Sequence, residues 1–433
     1  MSVIGIDIGT TSICAALLES RQGRPVRIEK RNHAFLDGTV YSQDPAAILA
    51  VVGELLELLW DPQVTDIAFS SQMHGVLFVD AQGRAVTDFY TWKNPWGNER
   101  HGEETYASYV SRIGQCPEIS GHGVVTALYM LDHGMIPDTA ASICNIGDFV
   151  AMQLAGSSTP QLNVTMAESL GCFDRDKTDF RREALEQMGL MPSLFPQVHR
   201  SDFVCGYYRS ARIHAALGDN QCSFLGSVGD LSRSVLLNVG TGQQVSCFSS
   251  EDLPADGVEK RSFFDMGYLY VGVSQNGGKC YECLIRLIES TVRLYADQEI
   301  DGYAQTVELW SKRHRADGSG HRLPRVVPAV YGRIERVPAG SVVLSELDCE
   351  QDILDLVEGY VKGMAQELYD LYRAIPETIR AGKDRFYAAG NGLVRNQILW
   401  VFTEECFRVR LLREEREEAA AVGAASYVWR KEI

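Results

Sequence analysis

Four short stretches combine glycine with acidic, amide or hydroxyl residues, in the arrangement that phosphate chemistry requires. They are DIGTTS at residues 7–12, GDNQ at 218–221, NVGTGQQ at 238–244 and AGNG at 389–392. Glycine after a strand lets backbone N–H groups converge on an anion without interference from a Cβ atom. Each turn alone is more typical of an ordinary hairpin, and only the order of all four stretches along the chain distinguishes a phosphate site from a set of hairpins.

The composition limits the classes of function. The chain has 433 residues, of which 45% are hydrophobic and 23% are charged, as in soluble globular proteins. Its net charge of −16, from 41 Lys and Arg against 57 Asp and Glu, disfavours binding to nucleic acid or to an anionic membrane. Neither a signal peptide nor a membrane span is expected.

The cysteines predict a reducing compartment. Eleven of them are scattered without framework spacing. The one close pair, Cys280 and Cys283, lies in a predicted helix without a second pair nearby, which favours free thiols over a zinc site. We therefore expect a cytoplasmic protein, and the sequence leaves its oligomeric state open between a monomer and a homodimer.

Predicted strands and helices alternate in both halves of the chain. In the first half, Asp44-Pro45 begins a helix that extends to Trp60, because an N-cap carboxylate followed by proline is typical of a helix start. The second half restarts with strand, glycine turn and strand, and apolar spacing predicts a long helix over 351–375. We expect an α/β protein with two domains, residues 1–229 and 230–433. The polar segment 313–325 is expected to be a surface loop.

The order of the four stretches resembles the sugar-kinase branch of the actin, Hsp70 and hexokinase superfamily. Within that branch the chain is most similar to the FGGY carbohydrate kinases, in the order first phosphate loop, catalytic aspartate, second phosphate loop and adenosine loop. The turn SQMHG at 71–75 resembles the sugar-binding turn of this family. Further stretches, among them 216–223 and 274–278, look most like the sedoheptulokinase group, with the xylulokinases next. The resemblance extends from Ile4 to about Tyr427.

This resemblance implies a fold and a reaction. The fold would be two ribonuclease-H-like domains with ATP and sugar in the cleft between them. The reaction would transfer the γ-phosphoryl group of ATP, with Mg²⁺, to a ketose. Sedoheptulose is the first choice, and xylulose or another ketose or polyol is the alternative. Two rivals come from other classes: an actin- or Hsp70-like ATPase that uses no sugar, and a catalytically silent sugar-sensing relative.

The resemblance also assigns roles to residues. Asp219 is the expected base, because a carboxylate near the sugar hydroxyl can accept its proton. Asp7 is the expected Mg²⁺ ligand, directly or through water, since a carboxylate beside a phosphate would otherwise be repelled. The residues expected to bind ATP are Gly9, Thr10, Thr11, Ser12, Gly240, Thr241, Gly242, Gly278, Gly390 and Asn391. Those expected to bind the sugar are Gln72, Met73, His74, Trp92, Asn94, Asp219 and Asn220.

One stretch departs from the family pattern. Sedoheptulokinases and xylulokinases usually have Trp-x-Asp-x-Arg where this chain has Trp92-Lys93-Asn94-Pro95-Trp96. Asn94 keeps hydrogen-bonding capacity but carries no charge, and Trp96 replaces a cation. Both tryptophans are suited either to stacking on a sugar face or to packing within the protein.

Overall fold

The structure is a computed structural model that describes residues 2–20, 24–317, 322–330, 340–414 and 417–429. The chain forms two compact units. Of the described residues, unit 1 contains 2–227, 261–267 and 417–429, and unit 2 contains 228–260 and 268–414. Two segments that the sequence-based division assigns to the second domain, 261–267 and 417–429, therefore pack within unit 1.

Strands and helices alternate along the chain. The helices are α1 (Pro45–Leu59), α2 (Tyr106–Gly114), α3 (Gly123–Asp132), α4 (Ile146–Leu154), α5 (Val164–Leu170), α6 (Arg182–Gln187), α7 (Asp219–Ser227), α8 (Gly278–Ala296), α9 (Gly302–Asp317), α10 (Ile353–Ala374), α11 (Glu377–Arg380), α12 (Asn391–Val394), α13 (Gln397–Phe407) and α14 (Ala419–Trp429). The strands are β1 (Ser2–Ile8), β2 (Ser12–Leu18), β3 (Arg27–Asn32), β4 (Ser42–Gln43), β5 (Val64–Ser71), β6 (Leu77–Asp80), β7 (Phe89–Tyr90), β8 (Arg100–His101), β9 (Glu104–Thr105), β10 (Ala140–Cys144), β11 (Leu162–Asn163), β12 (Phe173–Asp174), β13 (Asp179–Phe180), β14 (Val198–His199), β15 (Val204–Tyr208), β16 (Ala211–His214), β17 (Leu217–Gly218), β18 (Ser234–Val239), β19 (Gln243–Ser249), β20 (Glu259–Phe263), β21 (Gly267–Ser274), β22 (Arg325–Ala329), β23 (Ser341–Ser345), β24 (Arg385–Ala389) and β25 (Leu411–Arg413).

The two units share one sheet topology. In unit 1 the order is β3-β2-β1-β5-β16, with β15 beyond β16 and β17 also paired with β5. In unit 2 the order is β21-β19-β18-β24-β25. In each sheet the first three strands are antiparallel neighbours and the last three run parallel. This repeated order is the ribonuclease-H-like arrangement that the sequence predicts twice.

The predicted helix starts are confirmed where capping residues mark them. Helix α1 begins at Pro45, and the Asp44 carboxylate accepts a hydrogen bond from the Ala46 N–H at 2.8 Å. Its buried side chains Ile48, Val52 and Leu55 recur every three or four residues and face the core of unit 1. The long helix α10 lies within the predicted range 351–375. Local patterns of this kind need no distant partner, which is why the sequence reveals them.

Helix α14 approaches its neighbours at glycines. A Cβ atom at Gly5 of β1 would lie 2.0 Å from the carbonyl oxygen of Ala421. A Cβ atom at Gly423 of α14 would lie 1.9 Å from the carbonyl oxygen of Cys222 in α7. No side chain fits into such space, so α14 is seated directly on the backbones of the first strand and of α7.

The surface loop predicted at 313–325 is wrong in its first part. Residues 313–317 form the last turn of helix α9, which Trp310 anchors in the core of unit 2. A run of polar residues within a helix resembles a loop in composition, and the loop prediction used composition alone. Residues 318–321 lie outside the described residues. In the part of the chain that the structure describes, no helix is long and apolar enough to cross a membrane.

Candidate active site

Polar side chains meet in unit 1 where three neighbouring parallel strands end. Strand β1 ends near Asp7, which pairs in register with Ser70 of β5. Strand β17 ends at Gly218, which pairs with Ser71, and Asp219 then opens helix α7. Ligands of open α/β sheets bind outside this carboxyl edge. The structure therefore brings together the two aspartates that the sequence assigned to metal and base.

The two carboxyl groups influence each other. Desolvation raises the pKa of Asp7 to about 7, with the Asp219 charge adding to the rise and a 2.7 Å hydrogen bond from the Ser70 hydroxyl opposing it. Desolvation likewise raises the pKa of Asp219 to about 6, although the guanidinium charge of Arg261 and a hydrogen bond from the Asn220 N–H both lower that pKa. Both carboxyl groups would ionise more readily beside a cation.

This pair of carboxyl groups fits a magnesium ion bound together with phosphates. Mg²⁺ in phosphoryl-transfer sites is usually held by one or two carboxylates, by substrate phosphates and by waters. Among the described residues there is no group of three or more His, Cys, Asp or Glu side chains placed to hold a metal by themselves. Asp7, the expected metal ligand, thus lies at an edge where phosphate oxygens and waters would complete the coordination of such an ion, with the Asp219 charge close enough to raise its pKa.

The turn that is expected to bind sugar, residues 71–75 (the sugar turn), begins at the last residue of β5. Gln72 is 1% exposed and Met73 is also buried, with its sulfur against Gly218. His74 adopts φ of 74°, in the left-handed region that is costly for a residue with a side chain. Its N–H is held by the Ser169 hydroxyl at 3.1 Å. This strained backbone is typical of a functional site.

The hydrogen-bond partner of His74, the Ser169 carbonyl, determines which ring nitrogen carries the proton. Nδ1 lies 2.9 Å from the carbonyl oxygen of Ser169, which can only accept, so Nδ1 carries the proton and Nε2 is an acceptor. Desolvation, followed by the charges of His122 and Arg261, lowers the pKa of His74 well below its usual value. The ring stacks on His122 with centroids 4.7 Å apart. His74 is therefore neutral and offers an acceptor to a ligand.

In the stretch 92–96, which departs from the family pattern, Asn94 and Trp96 pack within unit 1 whereas Trp92 is exposed. Asn94 is buried, and its side chain donates to the Val40 carbonyl at 3.0 Å and accepts from the Trp96 N–H at 3.1 Å. The Trp96 ring stacks on Tyr129, with centroids 4.8 Å apart. The sequence leaves two roles open for the tryptophans, stacking on a sugar face or packing within the protein, and Trp96 has the packing role.

Trp92 remains near the candidate site. It is 45% exposed, and its indole N–H donates to the hydroxyl of Thr10 at 3.0 Å. The Lys93 ammonium lies 5.2 Å from the centre of its ring. Trp92 thus connects the stretch 92–96 with the first glycine loop, residues 9–12.

The nucleotide residues expected in the second half lie together in unit 2. The N–H of Gly278 donates to the Gly240 carbonyl at 2.7 Å, and a Cβ at Gly277 would lie 2.1 Å from the Gly242 carbonyl oxygen. Gly390, with φ of 78°, packs against the backbone of Val239. Glycine at these positions allows the loops that contain Thr241 and Asn391 to pack closely.

The family is decided by a match over the first half of the chain. The profile of the "FGGY family of carbohydrate kinases, N-terminal domain" matches residues 2–236. The chain belongs to the FGGY family. It is an ATP-dependent sugar kinase.

The relatives of this FGGY kinase share its fold, but their names refer to different substrates. Human sedoheptulokinase is 24% identical, over 99% of this chain and 98% of that protein. The gluconate kinase of Lactobacillus acidophilus superposes with a TM-score of 0.80 at 18% identity, covering 99% of this chain and 89% of that one. Xylulose kinase from the same organism superposes with a TM-score of 0.79 at 16% identity, and again covers 99% of this chain and 89% of that one. The predicted family, the two-domain α/β fold and the kinase class are thereby confirmed.

Sequence reasoning missed two groups near the sugar turn. Arg261, in the segment that returns to unit 1, lowers the pKa of both Asp219 and His74. His122 stacks on His74 and bonds to the buried Glu118 carboxylate at 2.5 Å. No motif marks these residues, because distant chain segments bring them to the sheet edge. The bond from the Gln221 side chain to the Ser262 carbonyl, at 3.1 Å, holds the returning segment against α7.

Proposed function

We propose that this kinase phosphorylates the terminal hydroxyl of sedoheptulose and gives sedoheptulose 7-phosphate. The observation that carries the proposal is the pair of interacting carboxyl groups, Asp7 and Asp219, at the strand ends beside the turn 71–75. The choice of sugar is supported by the similarity to human sedoheptulokinase over nearly the whole of both chains.

Asp219 acts as the base in this proposal. With a pKa of about 6 it is largely ionised at neutral pH, and it accepts the proton of the sugar hydroxyl as the new P–O bond forms. The acceptors Gln72 Oε1 and His74 Nε2 bind other hydroxyls of the sugar. Asn220, Met73 and Trp92 complete the expected sugar contacts. The amide of Asn94 is already bonded to the Val40 carbonyl and the Trp96 N–H, so Asn94 contributes by holding the stretch 92–96 in place.

The remaining residues serve the nucleotide. In the loops 9–12 and 240–242, the groups that bind the phosphates are backbone N–H groups and hydroxyls other than the N–H groups of Gly9, Gly240 and Gly278, which already donate to carbonyls within the protein and shape these loops. Gly390 and Asn391 contact the adenosine. Mg²⁺, held by Asp7 directly or through water, neutralises phosphate charge when bound. The assignment to the cytoplasm, and to a monomer or homodimer, stays a prediction.

A substrate screen tests the proposal. ADP formation is measured with MgATP and, in turn, sedoheptulose, D-xylulose, D-gluconate, glycerol and no acceptor. We expect the highest kcat/KM with sedoheptulose. D-Gluconate is the second candidate, because the positive charge of Arg261 near His74 suits a carboxylate. Preference for another acceptor contradicts the sedoheptulose assignment, and turnover that is independent of any acceptor contradicts the sugar-site assignment.

Replacing Arg261 with methionine is expected to shift the pH dependence of kcat/KM. The guanidinium lowers the pKa of Asp219, so its removal raises that pKa above about 6. Because the base works only when it is ionised, the acid limb of the profile moves to higher pH. The control is Arg112→Met, which removes an exposed, ion-paired arginine of unit 1 and should leave the profile in place. An Arg261→Met profile with an unchanged acid limb contradicts this electrostatic role.

A further inference from the structure

Three side chains, two of which lie outside the expected site, hold two carbonyls of the first phosphate loop, residues 9–12. The Gly9 carbonyl oxygen lies 2.9 Å from His33 Nε2 and 3.4 Å from Gln72 Nε2. The Thr10 carbonyl oxygen accepts from Gln43 Nε2 at 2.7 Å. These three side chains come from different parts of unit 1, and Gln43 is completely buried.

The backbone holds the other two carbonyls of the same loop. Thr11 O accepts from the N–H of His33, and Ser12 O accepts from the N–H of Gly9, both at 3.0 Å. A carbonyl oxygen that faces a phosphate repels it, whereas an N–H group attracts it. Bonding every carbonyl of residues 9–12 within the protein therefore keeps their negative ends away from an anion.

The donor and the acceptor can be assigned in each hydrogen bond that His33, Gln43 and Gln72 make here. A carbonyl only accepts, so His33 Nε2 carries the proton and Nδ1 has a free lone pair, which faces Gln43 Nε2 at 3.5 Å. Gln43 thus uses both amide hydrogens, on Thr10 O and on His33 Nδ1. Its Oε1 accepts from Gln72 Nε2 at 2.9 Å. The orientation of both glutamine amides is determined by these partners.

The chain of bonds ends at an acceptor in the sugar turn. Gln72 uses its amide hydrogens on Gln43 Oε1 and on Gly9 O. Its own Oε1 is buried and has no hydrogen-bond partner within the described part of the chain. A buried acceptor without a donor is costly, and a hydroxyl of a bound ligand would satisfy it.

We propose that Gln43 and His33 are positioning residues that hold the first phosphate loop and, through Gln72, couple it to the sugar turn. A sugar hydroxyl that donates to Gln72 Oε1 polarises that amide and strengthens its bonds to Gly9 and Gln43. Sugar and nucleotide then increase each other's affinity by the same factor. This inference rests on the proposed function, because it takes the loop to bind phosphates and the turn to bind sugar.

The test compares two glutamine-to-methionine variants. Gln43→Met removes the central amide while keeping its length. Gln153→Met is the matched control, since Gln153 Nε2 also bonds a carbonyl of unit 1, that of Gly83 at 2.6 Å, away from the loop. The Kd of MgADP is measured by calorimetry without sugar and with saturating sedoheptulose. For the wild type we expect sedoheptulose to tighten MgADP binding by roughly tenfold.

For Gln43→Met we expect about tenfold weaker MgADP binding and little remaining tightening by sedoheptulose. Gln153→Met should behave as the wild type does. A Gln43 variant with the wild-type Kd and the wild-type coupling overturns the proposal, and so does an equal loss in the Gln153 control. If the wild type binds MgADP but no ketose, the proposed sugar is wrong. The Kd of MgADP for Gln43→Met, compared with the wild type, still decides whether Gln43 holds the phosphate loop.

A second pair of variants separates positioning from folding. His33→Gln can place an N–H donor near the Gly9 carbonyl, whereas His33→Phe cannot. We expect the glutamine to retain most of the MgADP affinity and the phenylalanine to lose about tenfold. Equal affinities in the two variants contradict the role of His33. This pair also decides the question if Gln43→Met fails to fold.

Discussion

Replacing Asp219 with asparagine is expected to lower kcat by about a thousandfold with little change in the Kd of MgATP. Asparagine keeps the shape of the side chain at the start of α7 but cannot accept the proton of the sugar hydroxyl. The carboxyl group has a pKa of about 6, which is near the value that suits a general base at neutral pH. Single-turnover measurements with saturating sugar separate the chemical step from binding.

The control for this variant is Asp230→Asn. Asp230 accepts hydrogen bonds from the N–H groups of Ser232 and Arg233 in an exposed turn, and asparagine can take the same role. Its activity should match the wild type. An Asp219→Asn enzyme with a near wild-type rate would remove Asp219 from the role of base. An effect confined to the KM of the sugar would assign Asp219 to binding.

Replacing Asp7 with asparagine is expected to change activity and stability in opposite directions. Activity should fall by about a hundredfold or more, because Mg²⁺ and the phosphates lose a charged partner. Stability without metal should rise. The folded-state pKa of Asp7, about 7, lies above the unfolded value near 4, so ionisation of this carboxyl group costs stability as pH rises between these values, and the cost remains in full above them. Asparagine avoids that cost and can still accept from the Ser70 hydroxyl.

Chemical denaturation in EDTA at pH 5 and pH 8 measures this effect. The gain in unfolding free energy from Asp7→Asn should be larger at pH 8 than at pH 5. Added Mg²⁺ with ADP should stabilise the wild type more than the variant. A variant that is less stable than the wild type at pH 8 would contradict the electrostatic account of this carboxyl group. Equal stabilisation by Mg²⁺ and ADP would contradict the metal assignment.

Much of the site could be predicted because its residues sit in turns that follow strands. Asp7 follows an apolar run near the end of β1, Gln72 comes directly after β5, and the carboxyl ends of parallel strands meet at one edge of a sheet. Asp219 occupies the next such end. The sequence therefore indicates these neighbours once the strands and their order are known. Helix α1 was predictable for a different reason, since the Asp44 cap is entirely local.

The contributions of distant segments could not be predicted. Arg261 lies about forty residues beyond Asp219, and only the packing of residues 261–267 within unit 1 brings its charge to the site. Gln43 sits beside an N-cap, where an amide has no distinguishing pattern. Asn94 could be chosen as a departure from the family pattern, but its bonds to the Val40 carbonyl and the Trp96 N–H depend on the folded loop.

The seating of α14 on Gly5 has a consequence for how the protein is synthesised. The ribosome makes β1 first and α14 more than 400 residues later, yet the two pack backbone to backbone. A nascent chain can therefore assemble unit 2, whose described residues fall within 228–260 and 268–414, while β1 and α7 still lack their covering helix. The strand edge that bears Asp7 and Asp219 is therefore supported by α14 only when residues up to 429 have left the exit tunnel, so growing chains should phosphorylate little sugar before that point.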